Sequence, residues 1–131
     1  KVLGFDDPER PTSLEAVIET LGGNSVKYKG RTKCCGFQAD LVNLDSAVGM
    51  TTMRLLDAKG SGAEVVVTPC PFCHINLDNY QSMAEKSAKE KIDLPIFHLA
   101  QVVGLALGLN AAELGLSRHL VSSKGLLKGL A

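Results

Sequence analysis

The chain carries no surplus of charge. Fourteen basic residues balance fourteen acidic ones over 131 residues, for a formal charge of zero. No broad cationic face is expected, so neither nucleic acid nor an anionic bilayer is called for as a partner. Long apolar runs are lacking too. A membrane span needs about 20 continuous apolar residues. The strongest stretch, Ile96 to Leu109, is shorter and is broken by His98, Gln101, Gly104 and Gly108. No direct membrane span is expected. No secretory leader opens the sequence. It starts at Lys1 without a methionine and already inside a patterned stretch, which reads as a fragment or an N-terminally incomplete chain. No internal repeat and no linker divides it, so residues 1–131 are expected to form a single domain.

Cysteine is sparse but clustered. The four are Cys34, Cys35, Cys70 and Cys73. With 45% apolar residues a core can form without disulfide staples. Adjacent Cys34 and Cys35 are awkward partners for one another. The grouping points instead to metal or redox chemistry in a reducing compartment, most simply the cytoplasm.

The pattern between the cysteines alternates strands and helices. Asp6, Asp7, Pro8 and Pro11 favour turns. Thr12 and Glu15 form a capping box with Thr12 as N-cap. Leu14, Val17, Ile18 and Leu21 then recur at helical spacing until Gly22 and Gly23 stop the helix. Ser25 to Tyr28 reads as a short strand, Asp45 to Ala58 as a helix, and Gly60-Ser61-Gly62 as its closing loop. Glu64 to Thr68, with Val65-Val66-Val67, reads as a buried strand of a parallel sheet. A helix from Pro71 to roughly Ala88 follows, ending in a solvated charged run. Leu94 to Phe97 is a further strand and His98 to Leu107 an apolar helix with Gly108 near its C-cap. Leu109 to Ala131 holds only short helical hints. The fold class expected is α/β, a layered domain with a small, mainly parallel sheet flanked by helices.

Cys70 and Cys73 form a C-x-x-C at a strand end and helix N-terminus. Free backbone N–H groups and the helix dipole favour thiolates there. Two adjacent thiols followed by Gly36 suggest a loop that turns both sulfurs onto one centre, with a positive φ at the glycine. Four thiolates suffice for tetrahedral zinc and equally for an iron–sulfur cluster. Soft sulfur donors do not choose between them.

Lys33-Cys34-Cys35-Gly36, thirty-four intervening residues, then Cys70-Pro71-Phe72-Cys73 resembles the CCG cysteine-rich domain of the heterodisulfide reductase B-subunit family. That domain also occurs in archaeal-type succinate dehydrogenase subunits and in glycolate and lactate oxidation systems. Val2 to Pro8 with Pro11 to Leu14, and His98 to Gln101 with Gly104 to Leu109, resemble the family's flanking stretches. The family motif starts with a further cysteine, and none lies between Lys1 and Cys34. The flank match puts that position just before Lys1 and suggests the C-terminal CCG domain of its parent. The resemblance implies a domain of an oxidoreductase, inactive in isolation. It would bind a four-iron cluster, cubane or non-cubane, or zinc through Cys34, Cys35, Cys70 and Cys73. Other subunits of a redox complex, some membrane-associated, would be its partners, and a disulfide its substrate. The alternative is a structural zinc domain, closed by the four thiolates, that serves assembly. No catalytic residue is assigned.

A thiol oxidoreductase of glutaredoxin type, with Pro95 as its cis-proline, leaves Cys34-Cys35 unexplained. His74 follows Cys73, but four thiolates already complete a tetrahedron, so a place beside the site is expected. His98 is expected to cap its helix or face the site as a proton donor. His119 is expected to be structural or exposed, Phe72 an ordinary core residue, and Lys33 solvated. Gln101 is a polar neighbour of the expected site.

Overall fold

The computed structural model describes residues 4–128. The Val2-Leu3 end of the flanking stretch and the last residues of the tail lie outside the described residues. The elements are α1 (Ser13–Thr20), α2 (Phe37–Asp40), α3 (Leu44–Gly60), β1 (Val66–Thr68), α4 (Pro71–Asn79), α5 (Gln81–Ala88), β2 (Ile96–His98), α6 (Leu99–Ala106) and α7 (Lys124–Lys128), with a 3-10 turn at Leu116–Arg118. β1 and β2 pair in parallel, Val66 opposite Ile96, Val67 opposite Phe97 and Thr68 opposite His98. The fold is the expected α/β type, a small parallel sheet flanked by helices.

α3 is the central helix. The Asn43 side chain accepts from the Ser46 N–H at 2.8 Å, which satisfies one of the orphan donors at its start. Its buried residues are Ala47, Val48, Thr51, Thr52, Leu55 and Ala58, a stripe at helical spacing. Leu55 and Ala58 pack with Leu77, Ala84, Ile92, Leu94 and Ile96 into the core, and Cys35 belongs to the same cluster. The site is therefore attached to the best-packed part of the molecule.

Several elements differ from the sequence reading. Ser25 to Tyr28 is not a strand. Among the described residues the sheet has only β1 and β2, so an isolated extended segment there has no ladder to join. β1 is shorter than expected, and its valines are half-buried while Thr68 is buried. Two strands are too narrow a sheet to cover both faces. β2 begins two residues later than expected, at Ile96. Thr12 occupies the N-cap of α1 without a side-chain cap bond. Asp6 does that work from the preceding loop: its carboxylate accepts from the N–H groups of Thr12 and Ser13 and from the Ser13 hydroxyl. These bonds, the Ser13 hydroxyl foremost, lower the Asp6 carboxyl to about 2.

The expected long helix after Pro71 is broken at Tyr80 into α4 and α5. The break lets Gln81 turn inward, where it bonds both ends of Leu94. Its Nε2 donates to the Leu94 carbonyl at 2.9 Å and its Oε1 accepts from the Leu94 N–H at 2.7 Å. The Tyr80 hydroxyl meanwhile donates to Asp40 at 2.7 Å, which ties α2 to the break.

Candidate metal centre

The C-x-x-C lies where β1 runs into α4. Cys70 is the N-cap of α4, extended in backbone, with Pro71 in the first turn. Its own N–H donates to the Thr68 hydroxyl at 3.2 Å, which fixes the strand-to-helix turn. The Cys70 sulfur faces the helix N-terminus without making a short cap bond. The Cys73 N–H is the largest influence that draws its thiol below the ordinary value, with help from the Cys73 thiol and the Phe72 N–H. The Cys73 thiol is pushed up to about 12, first by burial and then by hydrogen bonding with Cys35 and Cys70, which favours its protonated form.

The other pair arrives from a loop. Cys35 is buried at 6% exposure while Cys34 is exposed. Gly36 has φ 104°, and a Cβ there would lie 2.8 Å from the Ala47 carbonyl oxygen and 3.0 Å from Met50 Cβ. Only glycine adopts that turn this close to α3. The Cys35 carbonyl points inward and accepts from the Thr51 hydroxyl at 3.1 Å and from Asn76 Nδ2 at 3.0 Å. The Gly36 N–H, on the other side of the same peptide, donates to the Cys34 sulfur at 3.4 Å.

Two of the four cysteines, Cys35 and Cys73, thus share the core cluster. Cys35 lies thirty-eight positions before Cys73 in the sequence, and Cys70 lies one helical turn before Cys73 at the start of α4. Cys34 stands beside them at the surface. Among the described residues, no three or more His, Cys, Asp or Glu side chains are grouped closely enough to hold a metal ion. The donor chemistry, four soft sulfurs with one pair at a helix N-terminus, suits zinc or an iron–sulfur cluster.

The three histidines gather on the other side of α4. His98 caps α6: its Nδ1 accepts from the Ala100 N–H at 3.3 Å, and Gln101 Oε1 accepts from the His98 N–H at 2.9 Å. Its Nε2 lies 3.1 Å from the Pro69 carbonyl, so with Nδ1 accepting, that nitrogen carries the proton and donates. Of the two expected roles, capping is the one its bonds display. His74 lies with its ring 4.7 Å from His119 and 6.4 Å from His98. Burial first, then the two neighbouring imidazoles, lowers its pKa against an opposing pull from Asp78. His119 is half-buried, 2.9 Å from the Gln101 amide and edge-on to Phe97. Phe72 is not a core residue: it is 55% exposed and stacks on Phe37 at 4.6 Å, since the first turn of α4 faces outward. Lys33 is exposed. No described peptide bond is cis, Pro95 included.

Thr51, Asn76 and Asp78 went unnoticed in the sequence. Asp78 is buried and accepts from the Leu120 and Val121 N–H groups at 2.8 and 3.0 Å, which pins the C-terminal segment. Asn76 follows Cys73 by three positions, one helical turn, and that spacing was the available signal.

Residues 2–78, more than half of the chain, match the family profile named CCG, described as a cysteine-rich domain. The chain belongs to the CCG cysteine-rich domain family. Its relatives include the 8-methylmenaquinol:fumarate reductase membrane anchor subunit of Wolinella succinogenes, 44% identical over 96% of this chain and 44% of that protein. The B subunit of the ferredoxin/F(420)H(2)-dependent CoB-CoM heterodisulfide reductase of Methanosarcina acetivorans is 27% identical over 94% of this chain and 42% of that protein. The B subunit of the ferredoxin:CoB-CoM heterodisulfide reductase of Methanosarcina mazei is 29% identical over 89% of this chain and 40% of that protein. The CCG chain spans less than half the length of these curated relatives. No described helix is long and apolar enough to cross a membrane.

Proposed function

We propose that this CCG domain is a redox module that binds an iron–sulfur cluster through Cys34, Cys35, Cys70 and Cys73, within a heterodisulfide reductase-like electron-transfer complex that acts on a disulfide. The observation that carries the reading is that Cys35 and Cys73 share one packed cluster, with Cys70 one turn earlier at the start of α4. The names of the relatives, each a subunit of a reductase and one of them itself a membrane anchor subunit, support the redox setting and the presence of other subunits. Cys35 and Cys73 would hold the group from the buried side and shield it from water. Cys70 and Cys34 would hold it from the open side, where a substrate sulfur has access. The cluster would supply one-electron exchange. The α4 N-terminus would favour the thiolate form of Cys70, and the Gly36 N–H would donate to the sulfur of Cys34.

Anaerobic purification of the intact protein, with iron, acid-labile sulfide and zinc measured together, tests this. Iron and sulfide in equal amounts, both lost in Cys35→Ser, are expected. Zinc alone, colourless and without sulfide, would replace the redox reading with the structural one. Neither metal would remove both.

A further inference from the structure

We infer that Thr51 and Asn76 are positioning residues of the sulfur site, acting as a buried clamp on the single peptide that joins Cys35 to Gly36. The role rests on the reading of Cys35 as a ligand; the clamp itself is visible without any metal. Thr51 is 0% exposed and Asn76 1%. Both donate to the Cys35 carbonyl, at 3.1 and 3.0 Å, and Asn76 Nδ2 also donates to the Thr51 hydroxyl oxygen at 2.8 Å. The three groups form a closed triangle. Both hydrogens of the Asn76 amide are used, while its Oδ1 is buried with no partner. The amide is therefore oriented by its N–H side alone, toward Cys35.

Polar groups this deep are costly where an apolar pair of the same size would fill the space. What the triangle supplies is direction. A carbonyl with two donors cannot rotate, so the plane of the Cys35–Gly36 peptide is fixed. The Gly36 N–H must then point the opposite way, and it donates to the Cys34 sulfur. One peptide plane sets both cysteines: Cys35 turns in toward Cys73, and Cys34 receives an N–H bond at the surface. Hydrogen bonds to ligand sulfurs tune the reduction potential of iron–sulfur centres. Thr51 reaches this peptide from α3 and Asn76 from α4, so the same two helices that press on Gly36 and carry Cys73 hold it in register.

The test uses the intact protein and its Thr51→Val, Thr51→Ser and Asn76→Asp variants. Each is freed of metal, alkylated without denaturant and read residue by residue by mass spectrometry. Cys35 is expected to label at least about tenfold faster in Thr51→Val and in Asn76→Asp than in wild type, with Thr51→Ser restoring protection. Where iron loads, the reduction potential should move negative in Thr51→Val and return in Thr51→Ser. Circular dichroism identifies any variant that does not fold, and the remaining one decides. Wild-type labelling of Cys35 in a folded Thr51→Val or Asn76→Asp variant overturns the clamp. Because labelling is read without metal, a wild-type protein that binds neither iron nor zinc overturns the proposed function and leaves the clamp to be judged by Cys35 alone.

Discussion

The first third of the molecule and its middle are held together by different means. α1 has no buried residue. It is fastened by the Asp6 carboxylate at its start and by the ion pair between Arg31 and Glu15. α3 buries six residues and forms one wall of the core. The cysteines sort themselves by this division. Cys35 and Cys73 belong to the packed middle, while Cys34 lies on the loop that leads out of it. The comparison teaches that the sulfur site depends on burial against α3 and α4, and only weakly on the polar fastening of α1.

The largest expected effect is in the core. Leu55 is 1% exposed, and Leu55→Ala should cost about 3 kcal/mol, read as a lower midpoint in urea. An unchanged midpoint would end the claim that α3 organises the fold. Gly36→Ala comes next. The left-handed φ and the contact with the Ala47 carbonyl should cost about 2 kcal/mol and free the Cys34-Cys35 loop, seen as faster amide exchange there.

The two adjacent cysteines sharpen the contrast. In metal-free protein, Cys35→Ser should cost about 1 kcal/mol, because it buries a hydroxyl in the core. Cys34→Ser should stay within about 0.5 kcal/mol. Equal effects would mean that the pair is not divided between interior and surface.

The smallest effect belongs to α1. The Asp6 carboxyl is held at about 2, below its ordinary value of 3.8. A depressed carboxyl stabilises the fold when ionised, so its contribution is full above pH 3.8 and fades as pH falls through about 2. Asp6→Asn should lower the thermal midpoint slightly at pH 6, and the difference from wild type should close toward pH 2. A gap that persists at pH 2 would assign the effect to something other than charge.

What the sequence made legible is what local chemistry governs. The proline after Cys70, the strand-to-helix turn and the helix expected over Asp45 to Ala58 are each written within a few residues, and each is where the pattern put it. The layered α/β class follows from the same alternation. What it hid depends on partners far along the chain. Ser25 to Tyr28 has the composition of a strand but no neighbour to pair with. The break at Tyr80 answers to Gln81 reaching Leu94, thirteen positions on. Thr51 and Asn76 read as ordinary helix residues, and only their meeting at the Cys35 carbonyl gives them a role. The place of the C-x-x-C was open to reading; the polar groups that orient its distant companion were not.

The clamped peptide also has a consequence for communication through the domain. Its carbonyl ends in the interior and its N–H ends on the sulfur of the exposed Cys34, so one rigid peptide plane links the buried polar triangle to a cysteine at the surface. A chemical event at the outer sulfur, whether oxidation or contact with a docking protein, has only that plane to cross before it reaches the joint between α3 and α4. The most sheltered part of the core lies one bond plane away from the surface where a partner would first touch.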